Sequence, residues 1–146
     1  MQGYFRHSSI YCLMTLNDIL KLGDPRLYEI SEPVSPEELP TLMPQIEALH
    51  DLVWQVRAKY GAGRAIAAPQ IGLMKRIICL NIDTPITIIN PQWEDLSEEM
   101  MELWDDCMSF PDLFVKVKRH RSGTFSFYDS SWNEITWHLE DDLSEL

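Results

Sequence analysis

The sequence predicts a chain of mixed helix and sheet, on three observations: one long amphipathic stripe, several short β-branched runs after it, and a turn signal between two of those runs. Its 146 residues, 45% hydrophobic, fit one compact domain. A chain of that length buries roughly 70% of the surface its unfolded form exposes, so a core can form without disulfides.

Residues 1–13 differ in character from the rest, and Met14-Thr15-Leu16 makes a natural start. The first thirteen are therefore read as a tail or a misread start, and 14–146 as the domain. Leu16, Ile19 and Leu20 suggest a short helix that Gly23-Asp24-Pro25 stops, with an extended segment to Val34. Ser35-Pro36-Glu37-Glu38 has capping-box form, but Pro40 and Pro44 delay the main helix to near Thr41. From there Leu42, Ile46, Leu49, Val53 and Val56 recur at steps of four and three through Tyr60, and Gly61 and Gly63 end the helix.

Strand signals follow. Arg76 to Ile82 and Ile86 to Ile89 are apolar runs bounded by Asp83-Thr84-Pro85 and Asn90-Pro91. Val115/Val117 and Phe125/Phe127 alternate with polar residues, and Asp129 to Asn133 reads as a hairpin turn into Ile135, Trp137 and Leu139. Leu139, Leu143 and Leu146 then take helical spacing with Asp141, Asp142 and Glu145 nearby, which predicts a helix that the sequence enters and does not finish. The expectation is a domain incomplete at its C-terminus.

Twelve basic against twenty-three acidic residues give a net charge of −11, which would repel phosphate backbones and excludes direct nucleic-acid binding. The acids from Glu94 to Asp106 read as a solvated face. Cys12, Cys79 and Cys107 are odd in number and show no paired spacing, so a reducing, cytoplasmic setting is expected. No window has the length of a membrane span.

Two stretches carry chemistry. Gly61 to Gly72, GAGRAIAAPQIG, puts glycines and alanines beside a single amide, Gln70, and suits either a tight helix-to-strand connection or a close approach by another backbone. Cys107 lies behind Asp105 and Asp106, with no cation adjacent in sequence. Carboxylates make a thiol a poorer nucleophile, whereas a metal ion deprotonates its cysteine ligand outright. Cys12 and Cys79 read as small buried hydrophobes. His7, His50, His120 and His138 show no metal spacing; His50 is placed on the helix surface, and alternation turns His138 to an exposed side of its strand.

Together the two stretches resemble the peptide deformylases, whose motifs are G-x-G-[LI]-A-A-P-Q-x-G, E-G-C-[LM]-S and a C-terminal helix with H-E-x-x-H. Gly63 to Gly72 matches the first with Ala65 in place of a glycine, and Asp105 to Ser109 matches the second at Cys107-Met108-Ser109. Leu22 to Leu27 (LGDPRL) and Ile89-Asn90-Pro91 fit as well, whereas no H-E-x-x-H occurs.

The resemblance implies an α+β fold with antiparallel strands packed around a central helix, here with the C-terminal metal-binding helix truncated. It implies a metal-dependent hydrolase that removes the formyl group from N-formylmethionyl nascent peptides, acting at the ribosome in the complete protein. By the same resemblance Cys107 is a ligand of a divalent metal, Fe(II) or Zn, whose two histidine ligands are absent from this chain. Gln70 and the backbone N–H of Met108 are oxyanion donors, and Gly63, Ala65, Ile66 and Ser109 line the peptide site. The alternatives are a non-catalytic deformylase-like peptide-binding module and, less favoured by the acidic setting, a cysteine hydrolase pairing Cys107 with His120 or His138.

Overall fold

The structure, a computed structural model, describes residues 14–141. Residues 1–13, Cys12 among them, and the helix expected from Leu143 and Leu146 lie outside it. The architecture is α+β: among the described residues there are one α-helix, α1 (Leu39–Tyr60), and seven antiparallel strands. These are β1 (Ala65–Ala67), β2 (Ile77–Asn81), β3 (Pro85–Glu94), β4 (Met100–Asp105), β5 (Val115–His120), β6 (Ser122–Tyr128) and β7 (Glu134–Glu140). A five-stranded sheet runs in the order β1-β2-β3-β6-β7, and β4 pairs with β5 in a separate two-stranded sheet.

α1 begins two residues before the expected Thr41. Ser35 and Glu38 do form the reciprocal pair of bonds of a capping box, but in a turn that precedes the helix. Pro40 lies in the first turn, where its missing N–H costs nothing, and Pro44 costs one bond of the ladder. The stripe is buried as its spacing requires, with Leu49 and Val53 fully covered. Each such aliphatic side chain contributes about 1.5–3 kcal/mol by leaving water. Gly61 closes the helix with φ +68° and donates its N–H to the Arg57 carbonyl at 2.9 Å.

The sheet has two apolar faces because β2 alternates. Ile77 and Cys79 face α1, while Ile78 and Leu80 face a second cluster with Ile88, Phe125, Phe127 and Leu139. Cys79 is fully buried, as expected, and burial pushes its thiol up to about 12. The second cluster is bound by aromatic contacts, Phe127 meeting Trp137 edge-on at 4.8 Å. Among the described residues no helix lies on that face, and no helix is long and apolar enough to cross a membrane.

Several expectations are corrected. The helix expected from Leu16 is a 3-10 turn, Leu16–Asp18, capped by Thr15, and a second 3-10 turn, Pro25–Tyr28, interrupts the segment expected to be extended. Asn90-Pro91 does not end its strand. β3 continues through a bulge, with Asn90 at φ +52° and its amide bonded to both the N–H and the carbonyl of Val34 at 2.8 Å. Leu139 belongs to β7, opposite Gly123, and is not the start of a helix.

The acidic run is not simply solvated. Its middle is strand β4, and its carboxylates meet cations across the hairpin: Glu102 with Lys116, Asp105 with Arg119, and Glu99 with Arg121. His50 is not on the surface either. It is half-buried between Asn81 Oδ1 (3.1 Å) and Thr87 Oγ1 (3.0 Å), and burial holds its pKa below the ordinary imidazole value.

Candidate active site

Gly63, at φ +114°, swings the chain from α1 into β1, and a Cβ there would lie 2.9 Å from Val56 Cγ1 and 3.2 Å from the Met108 side chain. Only glycine fits that approach. β1 then forms an edge of the five-stranded sheet. The Arg64 carbonyl accepts from Asn81 N–H at 2.7 Å, and Ile66 pairs with Cys79 in the same register. Hydrogen-bonding direction alternates along an antiparallel pair, so the N–H and carbonyl of Ala65 face away from β2, toward the open edge. Ile66 is buried with its backbone committed to β2, and it shapes the strand from the core side.

A 3-10 turn, Ala68–Ile71, follows and brings Gln70 back on β1. Gln70 Oε1 accepts from Ala67 N–H at 2.8 Å, which leaves its NH2 as the outward donor. That NH2 donates to Ser109 Oγ at 3.1 Å and approaches Cys107 Sγ at 3.4 Å. Residues 37 and 39 positions apart are thereby joined by one amide. Ser109 is 2% exposed, so the amide is anchored to a fixed group.

The Cys107 loop leaves the end of β4, and neither Asp105 nor Asp106 takes positive φ, the conformation that aspartate at these positions would have eased. Cations absent from the local sequence reach the loop from elsewhere. Arg119 pairs with Asp105, and Lys21 Nζ donates to the Met108 carbonyl at 2.9 Å. The strap around Lys21 also ties both stretches together: Leu20 N–H bonds the Gln70 carbonyl at 2.7 Å and Leu22 N–H bonds that of Ser109 at 2.8 Å. Nothing in sequence spacing signals this strap, because its bonds span about half the chain and are made by backbone and a flexible amine.

The histidines are elsewhere. His120 Nδ1 lies 2.6 Å from the Ser97 carbonyl, and His138, exposed as alternation requires, lies 3.2 Å from Thr124 Oγ1. The polar neighbour of Cys107 is an amide and not an imidazole, which removes the ground for a cysteine–histidine pair. Among the described residues no three His, Cys, Asp or Glu side chains converge as metal ligands. A catalytic metal takes three protein ligands, so the described residues, with Cys107 as the one candidate among them, do not by themselves fit a metal.

The family model described as polypeptide deformylase matches residues 16–146. The chain belongs to this family. It is similar to peptide deformylase 1 of Bordetella pertussis, 34% identical over 136 residues that cover 86% of this chain and 74% of that one. A peptide deformylase-like protein of Brucella melitensis is also 34% identical, with 84% of this chain and 73% of that one covered. Among solved structures, a peptide deformylase from Legionella pneumophila shares the fold with a TM-score of 0.74 at 29% identity, over 87% of this chain and 73% of that one. Polypeptide deformylases are metal-dependent hydrolases acting on formylated nascent peptides. Against that background the Cys107–Gln70–Ser109 contact joins the two stretches that carried the resemblance.

Proposed function

We propose that this chain holds N-formylmethionyl peptides against the open edge of β1 and serves their deformylation as a metal-dependent hydrolase. The observation that carries the reading is the Gln70 amide, donating at 3.1 Å to Ser109 and lying 3.4 Å from Cys107 at the end of an unpaired strand edge. An extended peptide would add to β1 through the main chain of Ala65, with Gly63 and Ile66 fixing the strand's course. Its formyl carbonyl would then reach Gln70 Nε2 and the backbone N–H of Met108, two donors suited to a developing oxyanion. One such donor is worth about 3 kcal/mol of barrier. Ser109 orients the amide, and Lys21 fixes the peptide unit that follows Met108.

Cys107 is the thiolate these residues offer to Fe(II) or Zn, and the remaining ligands are not among them. The ribosome as partner and the cytoplasm as setting belong to the same reading. In a chain carrying H-E-x-x-H downstream of Leu146 and loaded with Fe(II) or Zn, formyl-Met-Ala-Ser should be hydrolysed above background, and Cys107→Ala should abolish both turnover and metal retention. Tight peptide binding without turnover in that chain would instead favour a non-catalytic peptide-binding module.

A further inference from the structure

We propose that Arg64 selects peptides bearing an acidic side chain at the third residue, counted from the formylmethionine; this rests on the peptide reading of β1 above. Arg64 is the one charged residue between Gly61 and Gly72. It is exposed, and its guanidinium forms no ion pair or hydrogen bond with another described residue.

The register follows from where the reacting carbonyl must lie. Gln70 is held to Ala67 at 2.8 Å, so Ala67 marks the formyl end of the edge. A peptide running antiparallel from there, at about 3.4 Å per residue, sets formylmethionine opposite Ile66, its second residue opposite Ala65 and its third opposite Arg64. Ala65, whose N–H and carbonyl face the edge, makes the hydrogen-bonded pair with the second residue. Residues directly opposite point to the same face with Cβ atoms about 4.5–5.5 Å apart. Aspartate or glutamate at the third position therefore meets the arginine fork in a geometry that allows two parallel bonds. The chain as a whole carries a net charge of −11 and repels acidic peptides, so the preference is a local property of Arg64.

The test is calorimetric titration of the protein with C-terminally amidated formyl-Met-Ala-Asp, formyl-Met-Ala-Ser and formyl-Met-Ala-Lys, amidation removing the terminal carboxylate as a second source of charge. At low salt the aspartate peptide should bind about two- to fivefold tighter than the lysine peptide, the range of an opposite-charge cross-strand pair. In Arg64→Gln that ratio should fall to one or below, and Arg64→Lys should keep part of it. Equal affinities in the unaltered protein, or a ratio that survives in Arg64→Gln, would overturn the proposal. Failure of the serine peptide to bind at all would overturn the peptide reading of β1, and this inference with it.

Discussion

Gln70 is held at both ends, its oxygen by Ala67 and its nitrogen by Ser109 and Cys107, so the amide faces one way. Gln70→Ala, in a chain carrying H-E-x-x-H, should lower turnover of formyl-Met-Ala-Ser by roughly two to three orders of magnitude while metal content stays unchanged, because a donor to an oxyanion acts on the transition state. Loss of metal in that variant would contradict the role. His50 gives a second expectation at this scale. Burial lowers its folded pKa, so the unfolded chain binds the proton more readily, and the stability it contributes is present above the ordinary imidazole pKa of about 6.5 and lost as pH falls below it. Urea denaturation between pH 7 and pH 5 should show this loss, and His50→Gln should flatten it. Gln70 and Cys107 were legible in the sequence through their motifs. His50 was misplaced because a helix position alone does not show that Asn81 and Thr87 pack over it.

At the scale of elements, α1 and β2 follow from apolar spacing, since each buries what its period demands. β3 was cut short because proline usually ends a strand, and here a bulge at Asn90 absorbs the missing donor. β4 was missed because Glu102 and Asp105 hid an alternating strand whose charges are answered only across the hairpin, by Lys116 and Arg119. Gly63→Ala places a Cβ 2.9 Å from Val56 at positive φ, and should cost about 1–3 kcal/mol in urea denaturation, with weakened binding of formyl peptides because Met108 lies on the same contact. An unchanged midpoint would show that the turn relaxes freely.

For the whole molecule, the two faces of the sheet are unequal. α1 covers one, and among the described residues the aromatic cluster of Phe125, Phe127 and Trp137 covers itself. Elsewhere Trp93, Trp104 and Phe114 stay 42%, 59% and 63% exposed, so the 146-residue chain should bind a dye specific for apolar surface, and with one candidate thiolate among the described residues it should retain Fe(II) or Zn well below one equivalent after desalting. Stoichiometric metal would mean that histidines placed on Ser97 and Thr124 reach Cys107 in solution. A formyl peptide added to the edge of β1 with its formyl group at Gln70 would leave its mark on two nitrogens, which nuclear magnetic resonance of the 15N-labelled chain, titrated with formyl-Met-Ala-Ser, reads separately. The Ala65 amide should gain protection from exchange and the Gln70 side-chain NH2 should shift, whereas an Ala65 amide that exchanges as before, with shifts gathered on another surface, would contradict this placement.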